Sequence, residues 1–519
     1  MPVVRHSLVI VRPVAPGGIS GVDDKPVQLH LLHNWGGGAA RWVEDYCRAD
    51  RKRRNLVLKP IADVSGPGTR LALFENLADA RPIACWELDP PIRSCAVTHR
   101  GYREILAEIR HVYGVEAIVV SSLAGHALDA LATGLPTAVV HHDYFPFCPA
   151  MFIICRRRGE RGPGAFCTSC TPERLADCLT HNEYYRFFDD LRAADVLAIR
   201  DRFAALVQSD LVTLVVPTPG VRRHVVMLEP RLARIGFRVI GHGMEPLRGE
   251  GEDTTPRTCP GRKPRAVLLG RLTPEKGVEL LAEALPELSR MCDLALVGCG
   301  EPGRALAGPG VKIIPAYDRR RLAALLGELD PDFGLLLSIV PETFSYTLGE
   351  LMACGIPPVA TDRGSFADRI EEGVNGFLFS PNVDGLLAKV KSLCARPEQL
   401  AEVRRNLAGF QPRSLEAMVA EYHEILPLPA FREAGCARGL SPAGSPRLAV
   451  VAAPPQIPAD KTFEAVIDEF YETTRVKLAC TPRLRAWQRP IARFLLAGGC
   501  GLVKLGCRLA GRRRRRKAA

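Results

Sequence analysis

Two glutamates eight residues apart, Glu342 and Glu350 in PETFSYTLGE, and two cations five apart, Arg271 and Lys276 in GRLTPEKG, are the side chains best suited to chemistry. Arginine and lysine at one edge of a sheet can clamp a diphosphate and stabilise it as a leaving group without a metal. A carboxylate accepts hydrogen bonds from hydroxyls, so Glu350 suits a ribose and Glu342 a second hydroxylated group. Glutamates around a helix start are commonly solvated surface, and the neighbours change that reading. FGLLLSIV, just before Glu342, is an uninterrupted apolar run of the kind found in buried parallel strands, and RAVLLG stands directly before GRLTPEKG. Both motifs are therefore expected at the carboxyl ends of strands, where open α/β sheets bind ligands. A helix is expected over Tyr346 to Cys354, closed by Gly355 and Pro357. Its opening amides, those of Phe344, Ser345, Tyr346 and Thr347, would attract phosphate.

The elements that must position these residues come in two blocks. In the first, the apolar runs VQLHLLHN, AIVVSS, TAVVHH and LVTLVVP alternate with charged, helix-like stretches. From Arg265 the alternation restarts with RAVLLG, DLALVG, VKIIP, FGLLLS, PPVATD and NGFLFS. Strands alternating with helices predict parallel sheet with crossover helices. The expected fold is α/β: two doubly wound, Rossmann-like lobes facing each other across a cleft, residues 1–250 and 251–425. A Pro/Ala-rich linker (426–461) and a basic helical tail (462–519) follow. GEDTTPRTCPGR has the composition of a linker between the lobes. In the first block, HNWGGGAARWVEDY follows the first strand, and Gly37 and Gly38 would let a helix start approach a ligand closely.

GRLTPEKG, LVGCGEPG and PETFSYTLGELMACGIPPVATDRGSFADRIEEGVNGFLF together resemble the donor lobe of GT-B, family-four retaining glycosyltransferases of the bacterial surface-polysaccharide type. The likeness runs from about Ala266 to Phe379, and the E-x7-E pair is that family's hallmark. It implies transfer of a hexosyl or deoxyhexosyl group from a nucleotide-sugar to an acceptor hydroxyl, with retention and without a catalytic cofactor. The acceptor would be a glycan or a lipid-linked glycan. By the same resemblance, Arg271 and Lys276 hold the donor diphosphate, Glu350 the nucleotide ribose and Glu342 the transferred sugar. Gly37 and Gly38 lie near the phosphates, and His142, ending TAVVHH, faces the reacting sugar. The chain departs from the family at Ala40, where the family often has glutamate. The alternative is a catalytically inactive nucleotide-sugar or glycan-binding protein, against which the intact Arg271, Lys276, Glu342 and Glu350 speak.

Other signals are weaker. Gly298, Gly300 and Gly303 spell a dinucleotide-type G-x-G-x-x-G, yet follow the second strand of their block rather than the first. Asp330-Pro-Asp332 precedes a buried strand at its amino end, which fits a loop better than a metal motif. Cys167 and Cys170 have zinc-knuckle spacing, and Cys148, Cys155 and Cys178 could complete a structural zinc set, although no second C-x2-C exists. Seventeen cysteines without an export signal point to free thiols in a cytoplasmic setting. Of the net charge of +12, fourteen Lys or Arg and no acid fall between Thr473 and Ala519, leaving the rest near neutral. That distribution, with no nucleic-acid motif, argues against a nucleic-acid partner. Residues 493–517 mix leucines, Phe494 and cations, and are expected to lie peripherally on an anionic membrane surface at the inner face of the cytoplasmic membrane.

Overall fold

The apolar runs become the strands of two sheets. The computed structural model describes residues 25–427 except 64–65, 79–80, 161, 163, 189 and 248–261. In the second lobe six strands run parallel in the spatial order Val311–Ile314, Asp293–Val297, Arg265–Leu269, Phe333–Leu336, Pro358–Thr361 and Phe377–Phe379. Phe333–Leu336 and Pro358–Thr361 are buried at every position, so these strands show no polar alternation. The first and fourth strands in sequence, Arg265–Leu269 and Phe333–Leu336, are neighbours, and the strand order reverses between them. That reversal is a topological switch point, where a crevice opens beyond the carboxyl ends of the strands. GRLTPEKG and PETFSYTLGE are the two loops that leave these strands.

The first lobe has an eight-stranded sheet in the order Phe237–Val239, Val212–Val216, Thr137–Val140, Val115–Val120, Val27–Leu31, Arg54–Asp63, Gly66–Phe74 and Ala84–Glu87. The first six are parallel; Gly66–Phe74 adds antiparallel to Arg54–Asp63, and Ala84–Glu87 antiparallel to Gly66–Phe74. This antiparallel edge departs from the expected wholly parallel lobe. RNLVLKPIAD and GPGTRLALF follow one another without a crossover helix, and a short connection permits only antiparallel pairing. With that qualification the architecture is GT-B.

The helix Leu415–Ile425, expected within the second lobe, returns to the first and packs on the helix Gly37–Ala49. Trp42, Tyr46, Met418 and Tyr422 are fully buried there in one apolar cluster, with Tyr422 edge-on to both Trp42 and Tyr46. The two chain crossings between lobes lie side by side, Met244 N donating to Arg413 O at 2.8 Å. A Cβ on Gly243 would stand 2.6 Å from Ser414 O, so only glycine fits this crossing. No helix of the described residues is long and apolar enough to cross a membrane. The expected tail 462–519, and the linker 426–461 beyond residue 427, lie outside the described residues.

Candidate active site

The switch point brings Lys276 and Glu342 together as an ion pair. Two interlocked loops do this. Lys276 ends a single turn of 3-10 helix, Pro274–Lys276, and Gly277 follows in the left-handed region at φ +80°. A Cβ on Gly277 would stand 2.1 Å from Leu337 O, so the loop presses directly on the other motif's backbone. Glu275 O accepts from Ile339 N at 3.1 Å and from Ser338 Oγ at 3.2 Å, closing the contact. Behind Glu342, Ser365 N donates to its carbonyl at 2.7 Å. Arg271 is exposed on the same edge and has no ion pair with a described residue. A cation with no ion pair among the described residues, beside a cation–carboxylate pair, is what a diphosphate and a polyol need.

Glu350 lies in the second turn of the helix Tyr346–Ala353 and is 1% exposed. Its Oε1 accepts from Arg41 Nη1 at 2.8 Å, and Arg319 Nε stands at 3.5 Å. Arg41 comes from the first lobe, just inside the helix opened by the glycine loop, and its guanidinium lies 3.8 Å over the Tyr346 ring. Arg41 and Arg319 also approach Asp45, at 3.7 and 3.9 Å, whose carboxyl is pushed up by burial and drawn back down by these guanidiniums. Sequence reading missed both arginines. Arg41 gave no local signal, and Arg319 was hidden in the run Arg319–Arg321. The expected phosphate amides are shaped by Ser345, which holds φ +63° and accepts from Leu348 N at 3.4 Å. Arg369 fixes this strained residue, donating to the carbonyls of Phe344 and Ser345 while its guanidinium lies 4.0 Å over the Phe344 ring. Burial lowers the Arg369 guanidinium to about 10.

From the first lobe, His142 stands half-buried just past the strand Thr137–Val140, its ring 5.0 Å from Trp42 and 5.1 Å from His242. Its Nε2 is buried and has no hydrogen-bond partner among the described residues, and desolvation lowers the imidazole to about 3, so the ring is neutral at physiological pH. Its carbonyl accepts from Thr343 Oγ1 at 2.8 Å, tying it across the cleft to the residue after Glu342. His242 was missed at the sequence level, although a histidine between two glycines ahead of a linker could have drawn notice. It lies 4.4 Å from the Phe344 ring, and neither of its ring nitrogens has a partner among the described residues. Gly36 and Gly37 hold φ +75° and +76°, and Cβ atoms at Gly36, Gly37 and Gly38 would meet nothing within 4 Å. The glycine loop is thus open on its Cβ side. Trp35, 46% exposed, stacks on His33 and is flanked by Phe187 and Phe188.

Asp143, next to His142, is half-buried, and desolvation of its carboxyl pushes it from 3.8 up to about 7. A folded-state value above the unfolded one means stability is lost as pH rises between the two. Asp143→Asn keeps an acceptor for Phe145 N, which Asp143 Oδ1 binds at 2.8 Å. The melting temperature of this variant relative to wild type is expected to climb from about pH 4 to about pH 7 and then level off. A difference independent of pH would contradict a desolvated, protonating Asp143.

The five cysteines of the zinc expectation lie in one region of the first lobe. Cys148, Cys155, Cys167, Cys170 and Cys178 come within electrostatic reach of one another, and all are free thiols. Yet among the described residues no three His, Cys, Asp or Glu side chains gather closely enough to hold a metal ion. Two of the sulfurs serve other partners: Cys170 Sγ accepts from Arg200 at 3.1 Å and Cys178 Sγ from Asn182 at 3.2 Å. Asp330 and Asp332 are structural as expected, pairing with Arg262 and Arg265, and Asp332 also accepts from Arg265 N.

Residues 263–396, which carry both motif loops, match the family described as glycosyl transferases group 1. The second lobe is a group 1 glycosyl transferase domain. Over 149 residues the chain is 34% identical to the phosphatidyl-myo-inositol mannosyltransferase of Propionibacterium freudenreichii, covering 27% of this chain and 37% of that one. It is 31% identical over 187 residues to the glycogen synthase of Thermus thermophilus, 33% of this chain and 38% of that one. It is also 30% identical over 223 residues to the GDP-mannose-dependent alpha-mannosyltransferase of Mycolicibacterium smegmatis, 40% of this chain and 55% of that one. The matched stretch thus spans between 37% and 55% of the length of these relatives. Among solved structures, sucrose-phosphate synthase from Thermosynechococcus elongatus aligns at TM-score 0.48 and 15% identity over 77% of this chain and 98% of that one. Anabaena HepE in complex with UDP and glucose aligns at TM-score 0.47 and 15% identity, again over 77% and 98%. The group 1 glycosyl transferase domain accounts for the switch-point loops, whereas Arg41, His142 and the glycine loop lie outside the matched residues.

Proposed function

We propose that the chain is a retaining glycosyltransferase that moves a hexosyl or deoxyhexosyl group from a nucleotide-sugar to a hydroxyl of a glycan or lipid-linked glycan. The observation that carries this reading is the pairing of Lys276 with Glu342 beside the exposed Arg271, within a group 1 glycosyl transferase domain. In the mechanism, a donor diphosphate enters between Arg271, Lys276 and the amides of Phe344 to Thr347. Lys276 turns from Glu342 to the phosphate, and Glu342 is released to accept from hydroxyls of the transferred sugar. Charge that develops on the departing diphosphate is neutralised by Arg271 and Lys276, which favours the transition state over the ground state. Neutral His142 meets the sugar from the first lobe with its Nε2. Retention follows from front-face attack, the leaving phosphate taking the acceptor's proton, so no protein nucleophile is required.

The direct experiment is product analysis by proton NMR with an active donor and acceptor: the product keeps the donor's anomeric configuration. Inversion would overturn the retaining assignment. On the acceptor side, Trp35→Ala is expected to raise the acceptor KM by up to roughly tenfold, if a sugar face on the indole is worth as much as an aromatic pair, about 0.5–1.5 kcal/mol, with donor hydrolysis unchanged. An unaltered acceptor KM would remove Trp35 from the acceptor site.

Residues 493–517 are proposed to hold the enzyme at an anionic membrane surface on the cytoplasmic side, where lipid-linked acceptors lie. The run Arg512–Lys517 contributes up to about 1 kcal/mol per charge near such lipid. Full-length protein is expected to float with anionic vesicles at low salt, and a form ending at Leu478 is not. Both forms remaining unbound would end the membrane proposal.

A further inference from the structure

The segment from Cys148 to Phe188 leaves the first lobe after His142 and reaches the second lobe at the loop that carries Lys276. Arg156, its side chain 2% exposed, donates through Nη1 to Glu279 Oε2 at 2.7 Å and to Gly162 O at 2.8 Å, and through Nε to Glu183 Oε2 at 3.2 Å. Arg186 Nη2 donates to Glu275 Oε2 at 2.6 Å. Glu275 immediately precedes Lys276, and Glu279 follows it by three residues, at the start of the helix Val278–Met291. The two ion pairs therefore grip the loop on either side of the lysine. A third contact reaches the other motif: Arg363 lies 5.8 Å over the ring of Phe166, which sits in the hairpin Ile154–Cys155/Ala165–Phe166. Arg363 adjoins Gly364, whose Cβ would stand 2.4 Å from Glu342 O. One excursion of the first lobe thus braces the loops of both Lys276 and Glu342. A buried guanidinium stripped of its carboxylates is strongly unfavourable, so Arg156 holds its partners firmly.

We propose that residues 148–188 form an interlobe strap in which Arg156 and Arg186 are positioning residues, presenting Lys276 to the donor diphosphate through Glu279 and Glu275. The proposal rests on Lys276 being a donor-phosphate ligand. The strap ties the first lobe to the phosphate loop itself, so lobe closure and assembly of the diphosphate site become one event. A donor bound with the lobes apart would meet a loop lacking its brace.

Arg186 is the residue to test, because its side chain is 35% exposed, whereas Arg156 is 2% exposed and its truncation would also open a void in the packed interior. Arg186→Ala is expected to raise the donor KM roughly tenfold, the scale of one charged hydrogen bond, with kcat less affected. Glu275→Gln should do the same, and the double variant should be no worse than either single one, the signature of a coupled pair. Arg157→Ala, which breaks only the exposed pair with Asp177 inside the excursion, serves as the control at wild-type activity. Hydrogen exchange read on residues 270–279 is expected to quicken in Arg186→Ala and stay unchanged in Arg157→Ala. Unchanged exchange together with an unchanged donor KM in Arg186→Ala would overturn the strap. Wild-type donor binding in Lys276→Met would instead overturn the reading of Lys276, and the exchange result would then judge the strap by itself.

Discussion

Lys276→Met is expected to lower kcat/KM for the nucleotide-sugar by about 10²–10³-fold, the usual loss when one preorganised group facing developing charge is removed. The expectation follows from position. Lys276 lies at the switch point, on a loop locked by Gly277 against Leu337 O, and its present partner Glu342 is a residue that a sugar would also engage. Methionine keeps the length and apolar stem of lysine but cannot neutralise a diphosphate. The loss should fall on both donor binding and turnover, because Lys276 holds the diphosphate in the ground state and opposes a charge that grows as the bond to the leaving group breaks. Steady-state kinetics with a confirmed donor measures it, alongside a melting curve to show that the fold persists. A variant within threefold of wild type would remove Lys276 from the leaving-group role.

The second large effect separates the two glutamates. Glu350→Gln is expected to weaken nucleoside diphosphate binding about ten- to a hundredfold, the worth of one charged hydrogen bond in a buried site. Glu342→Gln should instead lower turnover by a similar factor and leave nucleotide binding nearly intact. The contrast comes from their surroundings: Glu350 is buried under Arg41 and Arg319, while Glu342 faces Lys276 at the mouth of the crevice. Glutamine at 350 keeps a neutral acceptor for Arg41, which limits the cost of stranding two guanidiniums. Isothermal titration with UDP and GDP, set beside turnover for both variants, gives the comparison. Tight nucleotide binding by Glu350→Gln, or wild-type turnover by Glu342→Gln, would contradict these roles.

The second lobe was legible in the sequence because its strands are short, mostly apolar and separated by helices, so pattern and fold coincide. The helix expected from Tyr346 to Cys354 is observed over Tyr346–Ala353, with Gly355 in the left-handed region at φ +66°. Periodicity carries no information about chain direction, which is why the antiparallel edge Gly66–Phe74 and Ala84–Glu87 was not foreseen. The cross-lobe partners were also beyond reach. Arg41 and Glu350 are 309 residues apart and Arg156 and Glu279 are 123, and no local pattern links such pairs. The return of the helix Leu415–Ile425 to the first lobe belongs to the same class of tertiary fact. The cysteines are a different case: the C-x2-C spacing points to a metal, and nothing local in the sequence shows that Cys170 and Cys178 are approached by Arg200 and Asn182.

The central claim is that the switch point of the second lobe breaks a nucleotide-sugar bond with Lys276 as its cation. The measurement that bears on it most directly is nucleoside diphosphate release from a panel of UDP-, GDP- and ADP-sugars, by wild type and Lys276→Met in parallel. The account predicts release from at least one donor by wild type, slow with water and faster with a glycan or lipid-linked acceptor, and near background for the variant. Release at equal rates by both proteins, or from no donor of the panel by folded wild-type protein, would contradict it.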